Sequence, residues 1–503
     1  MACLVLPCRA AAQLPPLGVP GGVVRLELDG SLATFDRRFF NGQRESYGAD
    51  LSSPALGSDR IPLLADADAR VGRIIGNAGY RINLGGLTTD AQGSVGSGFI
   101  GLSLGLTSHI AIFGRVPLVQ TRVQSSMQLD PATSDAGISP SIDEQLPFFS
   151  QMDASLSTLS ARISAGDYDA NPSQKALAQS TLADATALRN DLFGLLGDPA
   201  TAAPALPTSA SAAGTAIDSR VVALQTTLSA DLGVTGFSLT PSLPASAITQ
   251  PELIGLLTDP TGPIALRLND ATQTFRGEAE AGTSLTLLDH WDRGADRGGF
   301  RAALSGLVRF PTGLRESPDR PLDLGTGEGQ TDIQLDLVTD LGAGAFGARL
   351  TGSYVRQLAS DILVRVASAG QPFAGRDRLA IVRRDPGDIV ALGVHPFYRL
   401  ARTFAFTAGL DHWTHGTDVV SYAHPELPVP GVEASVYAED SKANATMLAV
   451  GVTYANPGGL RPGGTGLPVD ATLTYERVLR GGGGRVPDTH AIRTTLSVYF
   501  GLW

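Results

Sequence analysis

The sequence predicts an all-β fold, a transmembrane antiparallel β-barrel of about 12 strands carrying a helical insertion. Three observations predict it. Apolar and polar residues alternate with period 2 in repeated segments of about ten residues, the length a tilted strand needs to cross a bilayer. The connections between these segments alternate between tight turns and long loops. The composition is sparing in charge, 17% of 503 residues with 59 Gly, against roughly 25% charged in soluble domains.

Strands are expected near 22–36, 97–106, 109–124, 272–290, 299–311, 330–341, 345–358, 386–400, 403–414, 443–455, 469–479 and 489–503. In the first, Leu26, Leu28 and Leu32 oppose Arg25, Glu27, Asp29 and Ser31. In the fourth, Phe275, Ala279, Ala281, Leu285 and Leu287 oppose Arg276, Glu278, Glu280 and Ser284. The sixth sets Ile333, Leu335 and Leu337 against Asp332, Gln334 and Asp336; the seventh sets Phe346, Ala348, Leu350 and Tyr354 against Arg349, Thr351 and Ser353. A sandwich whose polar face met water would carry Lys there, yet Lys occurs only at Lys175 and Lys442, outside every strand. Leu106–His109, Leu341–Gly344 and Leu400–Thr403 read as tight turns, whereas Pro311–Gln330, Leu358–Pro386 and Trp413–Ala443 are long. An even strand count brings both chain ends to the short-turn side, the periplasmic side of an outer-membrane barrel. The last strand, TTLSVYFGLW, places Leu496, Val498, Phe500 and Leu502 on one face and Arg493, Thr495 and Ser497 on the other. Trp503 is then a terminal aromatic of the kind the barrel-assembly machinery reads, one position out of phase with the outward residues.

The helical segment breaks the alternation. Phe149, Met152, Leu156, Leu159 and Ile163 recur at three- and four-residue spacing within 143–164, as do Leu177, Leu182, Leu188 and Leu192 within 173–196 and Ile217, Val221, Leu224 and Leu228 within 217–232. The chain therefore divides into a signal-peptide remnant (1–12), N-terminal barrel strands with a first long loop (13–124), the helical insertion (125–271) and C-terminal barrel strands (272–503). By strand parity the insertion leaves from the long-loop side, to lie outside or to fold back as a plug. The opening MACLVLPCRAAAQ has a short apolar run and an A-x-A-like site but no positive n-region, so it reads as the tail of a longer leader. Its Cys3 and Cys8 are the chain's two cysteines, which leaves the body without thiolate or disulfide chemistry. The sequence contains no apolar run of 18 or more residues, so a membrane must be crossed by strands.

A net charge of −11 with no basic cluster argues against nucleic acid. Two enzyme-like strings fail on context. Gly96-Ser97-Gly98-Phe99-Ile100-Gly101 matches a dinucleotide fingerprint, but a strand follows where a helix is needed. Gly101-Leu102-Ser103-Leu104-Gly105 matches a nucleophile elbow, yet Ser103 sits inside an alternating run. Asp411, His412, His415, Asp418 and His424 gather near one strand end without a recognised ligand spacing. The expectation is no metal, no cofactor, no catalytic residue and no enzyme. The inward phase collects the candidate lumen-lining residues Arg25, Glu27, Arg115, Arg276, Glu278, Glu280, Arg301, Arg309, Asp332, Asp336, Arg349, Arg399, Asp411, Glu476 and Arg493, with Asp29 beside them. A charge facing lipid at midplane costs about 2–4 kcal/mol, so these side chains turn inward whether they pair across strands or line a pathway.

Three stretches carry a resemblance: GLTSHIAIFGRVPLV (Gly105–Val119), VRFPTG (Val308–Gly313) and LGTGEGQTDIQ (Leu324–Gln334). In order and spacing they resemble a family of outer-membrane channels associated with phenol and aromatic degradation (MetA-pathway type), distantly similar to FadL-type fatty-acid transporters. The chain departs from that pattern at Ser108, where the family has Asp, and in the helical insertion. The resemblance implies passive uptake of small hydrophobic or aromatic solutes through the outer membrane of a Gram-negative cell. The expected partners are outer-membrane lipid and lipopolysaccharide, the barrel-assembly machinery and the solute. The alternative is a binding or adhesion protein that uses the barrel as an anchor for the insertion.

Overall fold

The computed structural model describes residues 17–292, 298–401, 403–456 and 468–502. The signal-peptide reading of residues 1–12 and the terminal Trp503 lie outside these. Twelve antiparallel strands close on themselves: β1 (Val23–Phe35), β2 (Gly86–Gly105), β3 (Ile110–Asp130), β4, β5 (Gly298–Arg309), β6 (Asp332–Ala343), β7 (Phe346–Gln357), β8 (Ile389–Arg399), β9 (Phe404–His415), β10 (Ala443–Ala455), β11 (Val469–Gly483) and β12 (His490–Gly501). β4 runs as Ala271–Arg276 and, past residues 277–279, as Glu280–Asp292, both pieces pairing with β3. Each strand pairs with its sequence neighbour, and β12 returns to β1 with Val23 opposite Gly501 and Thr34 opposite His490. Closure pairs both edges of every one of these strands, which a hydrocarbon solvent requires.

The register fixes which side chains face out. Leu28, Ile100, Leu118, Leu337, Leu392 and Leu410 are all exposed, on the phase opposite the charges. At the short-turn end the outward phase turns aromatic, with Phe346 packed on Tyr398 (centroids 5.0 Å apart) and Phe404 on Tyr454 (5.2 Å). An apolar band bounded by aromatic rings is the surface a bilayer solvates. The fold is that of an outer-membrane barrel.

One strand corrects the expected phase. Leu118 pairs with Arg276, but Arg115 pairs with Glu280, so the break at 277–279 inserts one extra residue into β4. A one-residue bulge exchanges the two faces. Arg276 therefore shares the outward phase of Leu118, and Phe275 the inward phase of Val119, the reverse of the expectation.

The short-turn end is built economically. β6 and β7 are joined by Gly344 and Ala345, where Gly344 takes φ of 60°, a left-handed conformation that a hairpin of this length demands. The long-loop end holds everything else. α1 (Ala65–Ile75) lies between β1 and β2; α2 (Ile142–Ala165), α3 (Pro172–Leu196), α4 (Ala212–Thr226) and α5 (Gln250–Thr258) lie between β3 and β4. Asn171 caps α3 by accepting from the Ser173 and Gln174 amides, and Thr249 with Glu252 forms a capping box on α5. The expected stripes are buried: Met152, Leu159, Leu192 and Val221 have 1% exposure or less. α1 and α5 were not anticipated from periodicity. The helices share one core with Leu51, Leu56, Ile61 and Phe373, and from the barrel it takes Leu87, Met127 and Leu129, the last inward positions of β2 and β3. This body thus sits on the projecting end of the β2–β3 hairpin, beyond the barrel wall.

Candidate functional site: the barrel lumen

Most inward charges are joined into chains across neighbouring strands. Arg25 meets Glu27 at 3.2 Å, and Glu27 meets Arg115 at 3.7 Å. Arg115 meets Glu280 at 3.7 Å, Glu280 meets Arg309 at 3.2 Å, and Arg309 meets Asp332 at 2.8 Å. This ladder of alternating sign runs from β1 to β6. A second cluster holds Asp340, fully buried, between Arg301 (Nη2–Oδ2 2.6 Å) and Arg349 (Nε–Oδ1 2.6 Å). On the opposite wall Glu476 meets Arg493 at 3.6 Å, and His395 Nε2 lies 3.0 Å from Asp411 Oδ1. Asp29 accepts from Thr495 Oγ1 at 2.9 Å, and Asp336 from Gln334 Nε2 at 2.6 Å. Opposite charges withdrawn from water are tolerable only when paired in this way.

Three candidates lie elsewhere. Arg276 is exposed on the outward phase, its Nε donating to the Thr312 carbonyl. Glu278 sits in the β4 bulge and accepts from the amides of Glu328 and Gly329, both at 2.9 Å. Arg399 lies at the short-turn end, 5.6 Å from the centroid of Trp291 and donating to the Gly344 carbonyl. The grouping of Asp411, His412, His415, Asp418 and His424 comes apart. Asp411 joins His395, His412 faces outward to Thr446, His415 bonds the Ser441 carbonyl, Asp418 pairs with Arg384, and His424 lies beside Glu426. Among the described residues no three such ligands converge.

The lumen is bounded at both ends by segments that the alternation does not reveal. At the short-turn end residues 17–22 cross the mouth: the Gly22 amide bonds the Gly105 carbonyl, and Val19 is buried against the inward side chains of Val23, Ala111 and Tyr499. At the long-loop end the connection between β5 and β6 folds inward. Leu324 packs on Phe35, Tyr47, Ala91 and Val123, and Thr121 Oγ1 donates to its carbonyl at 2.8 Å. Asp323 accepts from Gln273 and from the Ser317 amide, both at 2.8 Å. The PTG and GTG elements meet here. Thr312 Oγ1 donates to the Gly277 carbonyl, the Leu314 amide donates to Thr326 Oγ1, and a Cβ on Gly313 would lie 2.7 Å from the Gly327 Cα. Glycine at 313 is what permits that approach.

Between the two closures lies a cavity of about 200 Å³. Its wall mixes the rings of Phe99 and Phe113, the small side chains of Ala303 and Ala391, and the charges of Arg115, Arg349 and Asp411. The Arg115 guanidinium lies 5.1 Å from the Phe99 centroid and 5.0 Å from that of Phe113. Arg25 Nε, Arg115 Nη1, Ser353 Oγ, Asp411 Oδ2 and Arg493 Nε are buried without a hydrogen-bond partner in the protein. Buried polar atoms left without a protein hydrogen bond are groups that water can satisfy. Sequence reasoning missed Asp340, although it continues the inward run of Asp332, Gln334 and Asp336, and missed His395, whose partner lies on the next strand.

Closed strand pairing, an apolar belt and a bounded interior define a transmembrane β-barrel of the outer-membrane type. No family model matches the chain, and no curated protein matches it. Solved structures that resemble it include the COG4313 outer membrane channel from Pseudomonas putida F1, at 11% identity over 96% of this chain and 97% of that one, with a TM-score of 0.44. Two others are a TodX monoaromatic hydrocarbon channel variant (12% identity, 96% and 91% covered, TM-score 0.29) and a Pseudomonas aeruginosa FadL homologue (8%, 96% and 90%, 0.28). The fold assignment rests on the strand register itself.

Proposed function

We propose that this barrel is a passive channel for the uptake of small solutes that combine an aromatic or apolar body with a polar group. The observation that carries this reading is the bounded lumen cavity. A volume of about 200 Å³ exceeds the roughly 150 Å³ that accommodates a benzene ring, and its wall offers two phenyl rings beside polar atoms that make no hydrogen bond within the protein. The charge ladder serves as wall, and residues 17–22 with the inward Leu314–Gln330 connection serve as the two constrictions. The helical body, on the long-loop side, is the extracellular cap, and the closing strand β12 is the segment offered to the barrel-assembly machinery. Outer-leaflet lipopolysaccharide surrounds the belt.

A hydrolase is disfavoured by geometry. Ser108 Oγ lies 2.8 Å from His109 Nδ1, but in an exposed turn.

The test is uptake by proteoliposomes of a phenol-sized solute against a neutral sugar of larger size. Replacing Phe99 and Phe113 by Ala is expected to alter the rate for the phenol far more than for the sugar. Equal effects on both, or no uptake by the unaltered protein, would sink the channel reading. An adhesin would show no uptake and would lose binding to its partner when the helical body is removed.

A further inference from the structure

We propose that the outward face of β9–β12, where the apolar band ends on the long-loop side, binds the phosphate groups of an outer-leaflet phosphoglycolipid. This rests on the reading of the chain as an outer-membrane barrel. The register lines up two rows of outward residues there. His412 pairs with Thr446, and Thr446 with Arg480; one step nearer the midplane, Leu410 pairs with Leu448, Leu448 with Arg477, and Arg477 with His490. Below them the same phase is apolar, with exposed Phe406, Leu473, Tyr475 and Ile492.

The charge of this patch is unbalanced. The carboxylates of these four strands, Asp411, Asp470 and Glu476, all lie on the inward phase. Arg477 and Arg480 have no hydrogen-bond or ion-pair partner among the described residues, and Arg477 Nε is buried without one. The contrast is with β7, where the outward Arg356 is held by Asp388 at 2.8 Å and Asp385 at 3.2 Å. His412 is oriented by Thr446 Oγ1 at 3.0 Å, and His490 Nδ1 by Tyr475 Oη at 2.7 Å. The barrel has thus left two guanidiniums unneutralised on one side, at the depth where acyl chains give way to headgroups.

A guanidinium presents a planar fork that matches phosphate bidentately, with its stem along apolar surface. A zwitterionic phospholipid brings its own ammonium to each phosphate and gains little from two unpaired cations. A glycolipid bearing two phosphates without internal cations matches them in sign and number.

The test uses the full chain folded in detergent micelles. Native mass spectrometry compares retention of diphosphoryl lipid A, fully dephosphorylated lipid A and phosphatidylethanolamine by the unaltered protein, the R477Q/R480Q variant and R356Q as a control. The side chains face lipid, so the barrel is expected to form in every case, checked by heat-dependent mobility on gels. Diphosphoryl lipid A should be preferred over both other lipids, the double variant should bind it about tenfold or more weakly, and R356Q should match the unaltered protein. Equal binding of the phosphorylated and dephosphorylated forms, or unchanged binding by the double variant, overturns the site. A protein that neither shifts on heating nor enters vesicles overturns the membrane reading instead, and the site with it.

Discussion

Replacing Asp340 by Ala tests whether the lumen charges are held as buried pairs. Asp340 has no exposed surface, and both of its oxygens are taken at 2.6–2.7 Å by Arg301 and Arg349. Arg301 and Arg349 are only 4% and 3% exposed, so removing the carboxylate leaves two like charges side by side in the wall without the group that joins them. Breaking one such buried pair costs about 3–5 kcal/mol. Arg301 keeps the face of Trp291, 4.8 Å from its centroid, before and after the change, and the loss is counted once, for the one carboxylate removed. The folding equilibrium should shift by about two to three and a half orders of magnitude. Denaturant unfolding of the vesicle-inserted protein, followed by tryptophan fluorescence, measures it. Asp361→Ala is the reference: its pair with Arg383 is more than half exposed, and losing it should cost less than about 1 kcal/mol. Replacing the whole triad by apolar side chains, Asp340→Leu together with Arg301→Met and Arg349→Met, should recover most of the loss, because no charge is then left buried without its partner. If Asp340→Ala costs no more than Asp361→Ala, the lumen is as well screened as the surface and the argument from burial is wrong.

Other outcomes follow from single contacts. A Cβ on Gly409 would come 2.1 Å from His395 Nδ1, so Gly409→Ala should displace the His395–Asp411 pair and cost about 1–3 kcal/mol, lowering the temperature at which the folded band is lost on gels. Val19→Gly removes the side chain seated among Val23, Ala111 and Tyr499, and single-channel conductance should rise while stability barely changes; unchanged conductance would remove residues 17–22 as a constriction. At the long-loop end burial would raise the Asp50 carboxyl, but hydrogen bonds from Arg38 and Arg485 hold it below its ordinary value of 3.8. The tie between the β1–β2 loop and the last loop is therefore fully present above pH 3.8 and fades as pH falls through the depressed value. Hydrogen exchange of residues 37–64 should accelerate only in that acid range, and Arg485→Gln should bring the acceleration to higher pH.

Alternation was enough to place twelve strands, because a barrel wall sorts side chains strictly by phase between lipid and interior. Leu335 and Asp336, or Leu350 and Arg349, face as their spacing requires. Heptad-like stripes located α2, α3 and α4 for a related reason, each burying one face in a common core. α1 and α5 escaped because they are short. Arg276 was misplaced because period 2 is unforgiving: one inserted residue at 277–279 reverses the phase across it, and Gly277 is the one local sign of the bulge.

What the sequence determined by itself is what depends on neighbours along the chain: strand number, turn lengths, the phase of the charges and the helical stripes. What only the tertiary structure decided depends on residues far apart. Val19 meets Tyr499, Leu324 meets Phe35 and Thr121, and His395 meets Asp411 across a strand pair. The two constrictions, the cavity between them and the unbalanced Arg477–Arg480 face all arise from closing the sheet. Closure fixes a register among twelve strands at once, and that register is a property of the ring and of no single strand.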